Sequence, residues 1–366
     1  MQRGLTALLV AHGLIHGVGF IKAFGVAALP QLTSPISRPL GLLWLMAALC
    51  MVASGFVPAR MFWSVGALAL VCSQVCIGTA WPDAKLGTWI NGVVLLAVVY
   101  SFACSGPLSF AAEYARDVVS ALRRPTLTSV VTETELEPLP APVQRYLRAT
   151  GAVGQARVYN FRARWTGRIR SDASAPYMPI AAEQVNTLGV DSQRFFKMTA
   201  TMKGLPVDIY HRFVGADATF RVRLLSLFPM VNAQGPELNR AETVTLLNDL
   251  CLLAPAALLD PALTWQPLDE HRARVTFTRG AQTVRAELRF DDAGELVDFT
   301  SDDRLRAAPD GRSFTRTRWS TPAGSYREFG GRRVTSQASA LWHAPTGTFA
   351  YAELALQDIT YNVVSR

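Results

Sequence analysis

The sequence predicts an α-helical membrane bundle of four spans, followed by an α+β domain built on a large curved antiparallel sheet. Three observations predict it. Charge is unevenly spread: residues 1–125 carry eight Lys/Arg and three Asp/Glu, whereas residues 126–366 carry 28 and 25. Apolar runs fill the first third. Beyond residue 157 the apolar period is two, as in a half-buried strand. Half of the 366 residues are hydrophobic and 17% are charged, against roughly 25% charged in an ordinary soluble domain. That excludes a disordered chain or a solvated coiled coil. The net charge of +8 is divided between two unlike parts, so it is not the footprint of nucleic acid.

The apolar runs are Leu5–Leu29, Leu40–Val57, Met61–Ala80 and Leu86–Cys104. About 20 residues at 1.5 Å rise cross a hydrocarbon core of about 30 Å. Inside lipid the backbone must satisfy itself, so these runs are expected to be helices. Pro30, Pro35 and Pro39, then Pro58 with Arg60, then Pro82 with Asp83 supply the breaks. A cleavable leader is the rival for the first run, but three further spans would remain. Four spans place both ends of this region on one side. That side collects Arg3, Arg60, Arg116, Arg123 and Arg124 against Lys22, Arg38 and Lys85, a lean toward cytoplasmic ends in a multi-pass cell-membrane protein. Lys22 is placed to snorkel, and Trp81 and Trp89 belong to an interfacial belt.

His12 and His16 lie one turn apart in the first span. The sharp reading is a haem, metal or quinone contact, giving a redox or quinone-linked membrane module. The plainer reading is hydrogen bonding across a tight helix interface made by Gly13 and Gly17. It is preferred because no acidic residue or third His completes a ligand set. Cys50, Cys72, Cys76 and Cys104 are small buried hydrophobes on this reading; Cys251 stands alone in the second part. No cofactor or metal is expected.

Residues 106–137 form a connector between a helical domain, 1–105, and a β-rich domain, 138–366. Phe110, Tyr114, Val118 and Leu122 recur every fourth residue, as in a helix resting on a membrane surface or an ordinary linker helix. Pro125 ends it. In Val158–Arg170, Phe161, Ala163, Trp165, Gly167 and Ile169 point one way, and Arg162, Arg164, Arg168 and Arg170 the other. Further strands are expected at Phe195–Met202, Val207–Phe213, Ala218–Leu224, Ala273–Thr278, Val284–Phe290, Leu296–Thr300, Phe314–Trp319, Val334–Trp342 and Phe349–Asn362. Asp291-Asp292-Ala293-Gly294 and Phe329-Gly330-Gly331 mark hairpins. One helix interrupts them: Asn239 caps it with Glu242 reaching back, and Val244, Leu246, Leu247, Leu250, Cys251 and Leu253 make it very apolar.

No nucleophile–base pair, metal set or phosphate loop stands out. Glu242 and Asp249, two turns apart, could form a carboxylate pair, but a cap plus a solvated face is the preferred reading. Glu183 and Glu237 read as salt-bridge partners, and Asp302, Asp303 and Asp310 as a solvated loop. The Arg row either pairs with acidic neighbours or grips anionic headgroups. The expected function is therefore a non-catalytic, membrane-anchored binding protein for a lipid or other apolar ligand. Leu246, Leu247, Leu250, Leu253 and Trp165 would bind the ligand, and Arg162, Arg164, Arg168 and Arg170 its headgroup. A purely structural or interaction protein is the remaining alternative.

Leu139-Pro140-Ala141-Pro142-Val143-Gln144-Arg145-Tyr146-Leu147, Met198–Pro206, Gly235-Pro236-Glu237, Pro255–Leu259, Phe290–Gly294 and Asp358–Asn362 occur in order. They resemble an uncharacterised bacterial family, a domain of unknown function often found behind four membrane spans. The resemblance implies no activity. Trp81–Asn91 is similar to the last span of DoxX-like four-helix modules, and the strand–helix order resembles the lipoprotein-carrier half-barrel.

Overall fold

The computed structural model describes residues 2–122, 129–308 and 311–364. Arg123, Arg124, Pro125 and Asp310, named above, lie outside the described residues. The chain divides into two compact units, Met1–Glu113 and Tyr114–Arg366.

The first unit is helical: α1 (Gln2–Ala23), α2 (Arg38–Ser54), α3 (Ala59–Thr79), the single turn α4 (Trp81–Ala84) and α5 (Gly87–Ser105). Among the described residues three segments are long and apolar enough to cross a membrane, Arg3–Ala23, Ala59–Thr79 and one within Gly87–Ala121. Arg38–Ser54 is a shorter apolar helix of 17 residues. The first helix stops at Ala23, six residues before the end of the apolar run, because Gly25 takes a left-handed φ of 66°. Lys22 does not snorkel freely: its Nζ donates to the carbonyls of Leu32 and Ser34. Asp83 holds the same turn, accepting from Thr33 Oγ1 at 2.8 Å and Ser34 N at 2.7 Å. Close packing uses Gly13, where a Cβ would meet Val52 at 2.7 Å, and Gly19, where it would meet the Trp44 ring at 2.3 Å. Gly17 has open space instead.

The connector helix α6 (Phe110–Ala121) straddles the unit boundary, and its C-terminal part belongs to the second unit. There Tyr114, Val118 and Leu122 are buried. Tyr114 meets Tyr210 edge-on at 6.1 Å, and Asp117 accepts from Tyr210 Oη at 2.7 Å and Arg212 Nε at 3.1 Å. This stretch therefore packs on protein.

After α7 (Ala141–Ala149) the chain makes β1 (Asn160–Ile169), β2 (Met178–Thr187), β3 (Gln193–Met202), β4 (Leu205–Val214), β5 (Asp217–Leu224) and β6 (Phe228–Gln234). The one long helix follows, α8 (Pro236–Leu253), then β7 (Leu263–Pro267), β8 (Arg272–Arg279), β9 (Gln282–Phe290) and β10 (Leu296–Ser301). The rest are β11 (Leu305–Ala307), β12 (Phe314–Arg316), β13 (Arg318–Ser320), β14 (Ala323–Phe329), β15 (Arg332–Ala344) and β16 (Gly347–Tyr361). One antiparallel sheet runs β6-β5-β4-β3-β2-β1-β16-β15-β13-β10-β9-β8-β7, with β14 also on β15. β11 and β12 pair separately, so the expected strand Phe314–Trp319 is two strands serving two sheets. Strands β2, β6, β7, β11 and β14 have no counterpart among the expected ones.

Two meanders meet where β1 pairs with the last strand, β16. Helix α8 touches β5 and β6 at one end of the strand order and β9 and β10 toward the other. A sheet can reach one helix from both sides only by curling around it. Register shifts at Arg164/Trp165, Val222/Arg223 and Ala340/Leu341 supply bulges that deepen such a curl.

Candidate functional site

Side-chain alternation puts Phe161, Ala163 and Trp165 on the face toward α8 and Arg162, Arg164 and Arg168 on the convex face. The register carries that inner face across the sheet. Phe161 pairs with Asn186, Asn186 with Arg194, and Arg194 with Phe213. The next row is Ala163, Gln184, Phe196, His211 and Phe220. Two amides, a guanidinium and an imidazole thus become neighbours inside a face that is otherwise apolar.

Helix α8 answers them. Fourteen of its 18 residues are buried, among them Glu242 and Asp249. The helix begins at Pro236, which has no N–H to cap and follows Gly235 at φ 113°. The start is therefore a turn earlier than Asn239. Asn239 instead holds Ala218 N at 2.7 Å and Asp217 at 2.9 Å, and Glu242 does not reach back to cap.

Glu242 and Asp249 both meet Arg194, correcting the expected solvated face. Arg194 Nε donates to Asp249 Oδ2 at 2.7 Å and its Nη1 to Glu242 Oε2 at 3.3 Å. Gln184 at 2.7 Å and Asn186 at 3.0 Å donate to the same Asp249 oxygen. Trp165 Nε1 orients Gln184 by donating to its Oε1 at 3.0 Å. His211 Nδ1 lies 3.5 Å from Glu242 Oε1, an electrostatic neighbour without a hydrogen bond. The Arg194 guanidinium also sits 4.9 Å over the Phe196 ring.

Two carboxylates share one guanidinium, and their surroundings divide them. Burial raises Glu242, but the positive charges of His211, Arg194 and Arg304 outweigh it and bring it down to about 2. Burial raises Asp249 against the pull of Arg194 and Asn186, and burial wins. Burial also lowers His211, against the attraction of Glu242. Desolvation works against the Arg194 charge too, yet Asp249 and Glu242 more than restore it. The Glu242 side chain is 3% exposed, and the arrangement clasps helix to sheet.

The helix end is satisfied in an equally specific way. Pro255 cannot supply the N–H that the Cys251 carbonyl would take in a longer helix. Tyr146 Oη donates to that carbonyl at 2.6 Å, and Tyr361 Oη to the Leu253 carbonyl at 2.8 Å.

Leu246, Leu247, Leu250, Leu253 and Trp165 come together as expected of a shared site, but as parts of one continuous core. The concave face is filled there by the protein's own side chains. The Arg row does not form one headgroup site. Arg164 pairs with Asp358 at 3.5 Å and Arg168 with Glu353 at 2.7 Å, both on β16. Arg170 donates to the Ala350 carbonyl at 2.8 Å and stacks 4.6 Å over Tyr177. Glu183 lies 3.7 Å from Lys197, Asp302 holds Arg318 at 3.0 Å, and Asp303 holds Arg240 at 2.5 Å. His343 bonds Ser320 at 2.7 Å, and His271 lies 3.6 Å from Asp292. Among the described residues no group of three metal-binding side chains forms.

Toward one end of the strands the inner face opens. The pairings Ile169–Met178, Met202–Leu205 and Leu224–Phe228 lie at that common end. Ile169, Met178, Met202, Leu224, Val231 and Phe349 are only partly buried there. Leu227, Phe228 and Met230 beside them are 40%, 57% and 53% exposed.

The class is thus an α+β domain, one antiparallel sheet curled on one clasped helix, behind a set of apolar helices. Residues 129–354 match a family model described as a family of unknown function (DUF6544), and the chain belongs to that family. The match begins beyond the apolar helices. No curated protein matches the sequence. Among solved structures, the chain is similar to a putative outer membrane lipoprotein-sorting protein domain from Vibrio parahaemolyticus, at 10% identity and TM-score 0.31, over 57% of this chain and 87% of that one. A DUF1329 family protein from Desulfovibrio piger is similar at 9% identity and TM-score 0.35, over 65% of this chain and 96% of that one. A LolA superfamily protein from Nitrosomonas europaea is similar at 9% and 0.34, with the same coverage. Likenesses of this size carry no part of the functional reading.

Proposed function

We propose that the protein is a multi-pass, membrane-anchored binding protein for a lipid or another apolar ligand, and that it is not an enzyme. Four crossing helices anchor it on this reading, with α2 as the short fourth span. The observation that carries the ligand reading is the open end of the sheet. Apolar side chains of the inner face run from the core to a rim where Ile169, Met178, Met202 and Leu224 stay partly exposed. Apolar surface left at the edge of a concavity favours a greasy occupant. A ligand entering there meets Leu246, Leu247, Leu250, Leu253 and Trp165 only as α8 yields its place. Of the Arg row, Arg170 is the member near the rim, beside Phe349.

The test uses the full chain in phospholipid nanodiscs doped with a diazirine phospholipid. Illumination is expected to label peptides of β1 to β6 as well as the apolar helices. Leu224→Arg and Met202→Arg, at partly exposed positions that tolerate a charge, are expected to remove the sheet label. Label confined to residues 2–105 in the unsubstituted protein would refute the reading.

A further inference from the structure

Inside the helical unit, α1, α3 and α5 bring one hydrogen-bonded polar cluster together, with Trp44 of α2 beside it. His12 Nε2 lies 3.0 Å from Asn91 Oδ1, and His16 Nε2 lies 2.5 Å from Ser73 Oγ. Ser73 Oγ donates to Asn91 Oδ1 at 2.9 Å. Asn91 Nδ2 donates to Gln74 Oε1 at 3.0 Å, and Gln74 Nε2 to Thr88 Oγ1 at 3.2 Å.

These bonds fix the tautomers. Asn91 Oδ1 only accepts, so His12 carries its proton on Nε2. With the single Ser73 hydroxyl proton given to Asn91, Ser73 Oγ accepts from His16, which is then also protonated on Nε2, and it lies 3.4 Å from His12 Nε2 as well. Both imidazoles are left with a bare Nδ1 lone pair. Both Nδ1 atoms are buried without a partner, and so is Trp44 Nε1–H. His12, His16 and Trp44 are 2%, 2% and 5% exposed. The three rings adjoin: His12 and His16 centroids are 4.7 Å apart, and His16 meets the Trp44 ring edge-on at 5.2 Å.

Two lone pairs need a donor and one N–H needs an acceptor. A metal ion would find two nitrogens, an opposing N–H and no anionic ligand, too few for a closed site. An anion would face the lone pairs. A hydroxyl supplies a donor to one of the two lone pairs and an acceptor to the N–H, and adds no charge to an apolar surrounding. We propose that the helical unit binds the hydroxyl head of a neutral, membrane-soluble alcohol or phenol. Its O–H donates to an imidazole Nδ1, and its oxygen accepts from Trp44 Nε1. The site is separate from the sheet domain and stands or falls independently of the reading given for it.

The test titrates the full chain in nanodiscs with 4-butylphenol and, separately, with butylbenzene. It follows the indole N–H resonance of Trp44, identified among the eight tryptophans by its loss in Trp44→Phe. The phenol is expected to shift it saturably and butylbenzene is not. Gln at position 12 or 16 keeps an amide N–H where Nε2 was but has no second nitrogen. Whichever of His12→Gln and His16→Gln removes the Nδ1 that takes the hydroxyl proton is therefore expected to weaken phenol binding at least tenfold, and the double variant to do the same. An equal response to butylbenzene, no saturable response to the phenol because water alone holds the site, or unchanged affinity in the double variant would overturn the proposal. Should either variant fail to fold, the contrast between the two probes on the unsubstituted protein decides.

Discussion

Replacing Arg194 by Met tests the clasp directly. The substitution keeps an apolar stem against Phe196 but leaves Glu242 and Asp249 buried, with side chains 3% and 11% exposed. Breaking a buried ion pair by removing one partner costs about 3–5 kcal/mol, or roughly 6–20 °C in Tm for a domain of this size. The loss is expected to depend on pH. Without the guanidinium Asp249, already raised by burial, loses its main opposing charge, so the folded state binds a proton that the unfolded state releases, while Glu242 keeps His211 and Arg304. A group raised in this way favours folding at low pH and costs stability as pH rises, by at most about 1.4 kcal/mol per unit. The deficit of Arg194→Met relative to the parent should therefore be largest near pH 8 and shrink toward pH 5. Denaturant unfolding of the full chain in detergent, followed by tryptophan fluorescence at several pH values, measures it. An equal stability at pH 8, or a deficit that does not shrink in acid, would refute the electrostatic account.

Three further outcomes are expected. Tyr146→Phe should lose about 1–3 kcal/mol, because the Cys251 carbonyl beside Pro255 keeps no donor; a parental midpoint in urea would count against this. Gly167→Ala should disrupt the β1–β16 junction, since a Cβ there falls 2.1 Å from the Glu353 carbonyl oxygen, with a loss of about 1–3 kcal/mol or more. Hydrogen exchange at 352–361 reports it. The second unit should also lose stability as pH falls below 6.5: His211 is lowered in the folded state, so the unfolded chain takes up the proton first. Its contribution is complete above 6.5 and fades below, that of Glu242 persists until pH falls from 4.5 toward 2, and His211→Gln should flatten the upper part of the profile.

Strand β1 was legible in the sequence because one face is Phe, Ala and Trp and the other is Arg, and the structure keeps that alternation residue by residue. Strand β2 was not. Its inner positions, Ile180, Ala182, Gln184 and Asn186, turn polar halfway along, and its outer ones include Val185. The period is blurred because the two amides exist to meet Asp249, which lies 65 and 63 residues away. The same distance hid the clasp. Arg194 stands just outside the expected strand Phe195–Met202, and nothing local names Glu242 and Asp249 as its partners. The leucines of α8 lie in one buried core; whether such a group faces a cavity or a core depends on sheet curl, which no local pattern encodes.

A fully apolar cluster would hold this helix as well as the ions do, since replacing a buried ionic triad by packed hydrophobic residues is often neutral or stabilising. What charges add is position. With fourteen buried residues, α8 offers apolar surface on every side, and leucines can trade neighbours at small cost when a helix slides or turns in an apolar trough. Glu242 and Asp249 are seven residues apart, about 10.5 Å along the axis. One guanidinium reaching both admits a single rotation and a single height. Arg194→Met/Glu242→Leu/Asp249→Leu still leaves the buried Gln184 and Asn186 amides without their acceptor, but it is expected to be more stable than Arg194→Met at pH 8 while amide exchange across Pro236–Leu253 accelerates. A triple variant no more stable than Arg194→Met, with parental exchange in α8, would show that the ions supply strength rather than register.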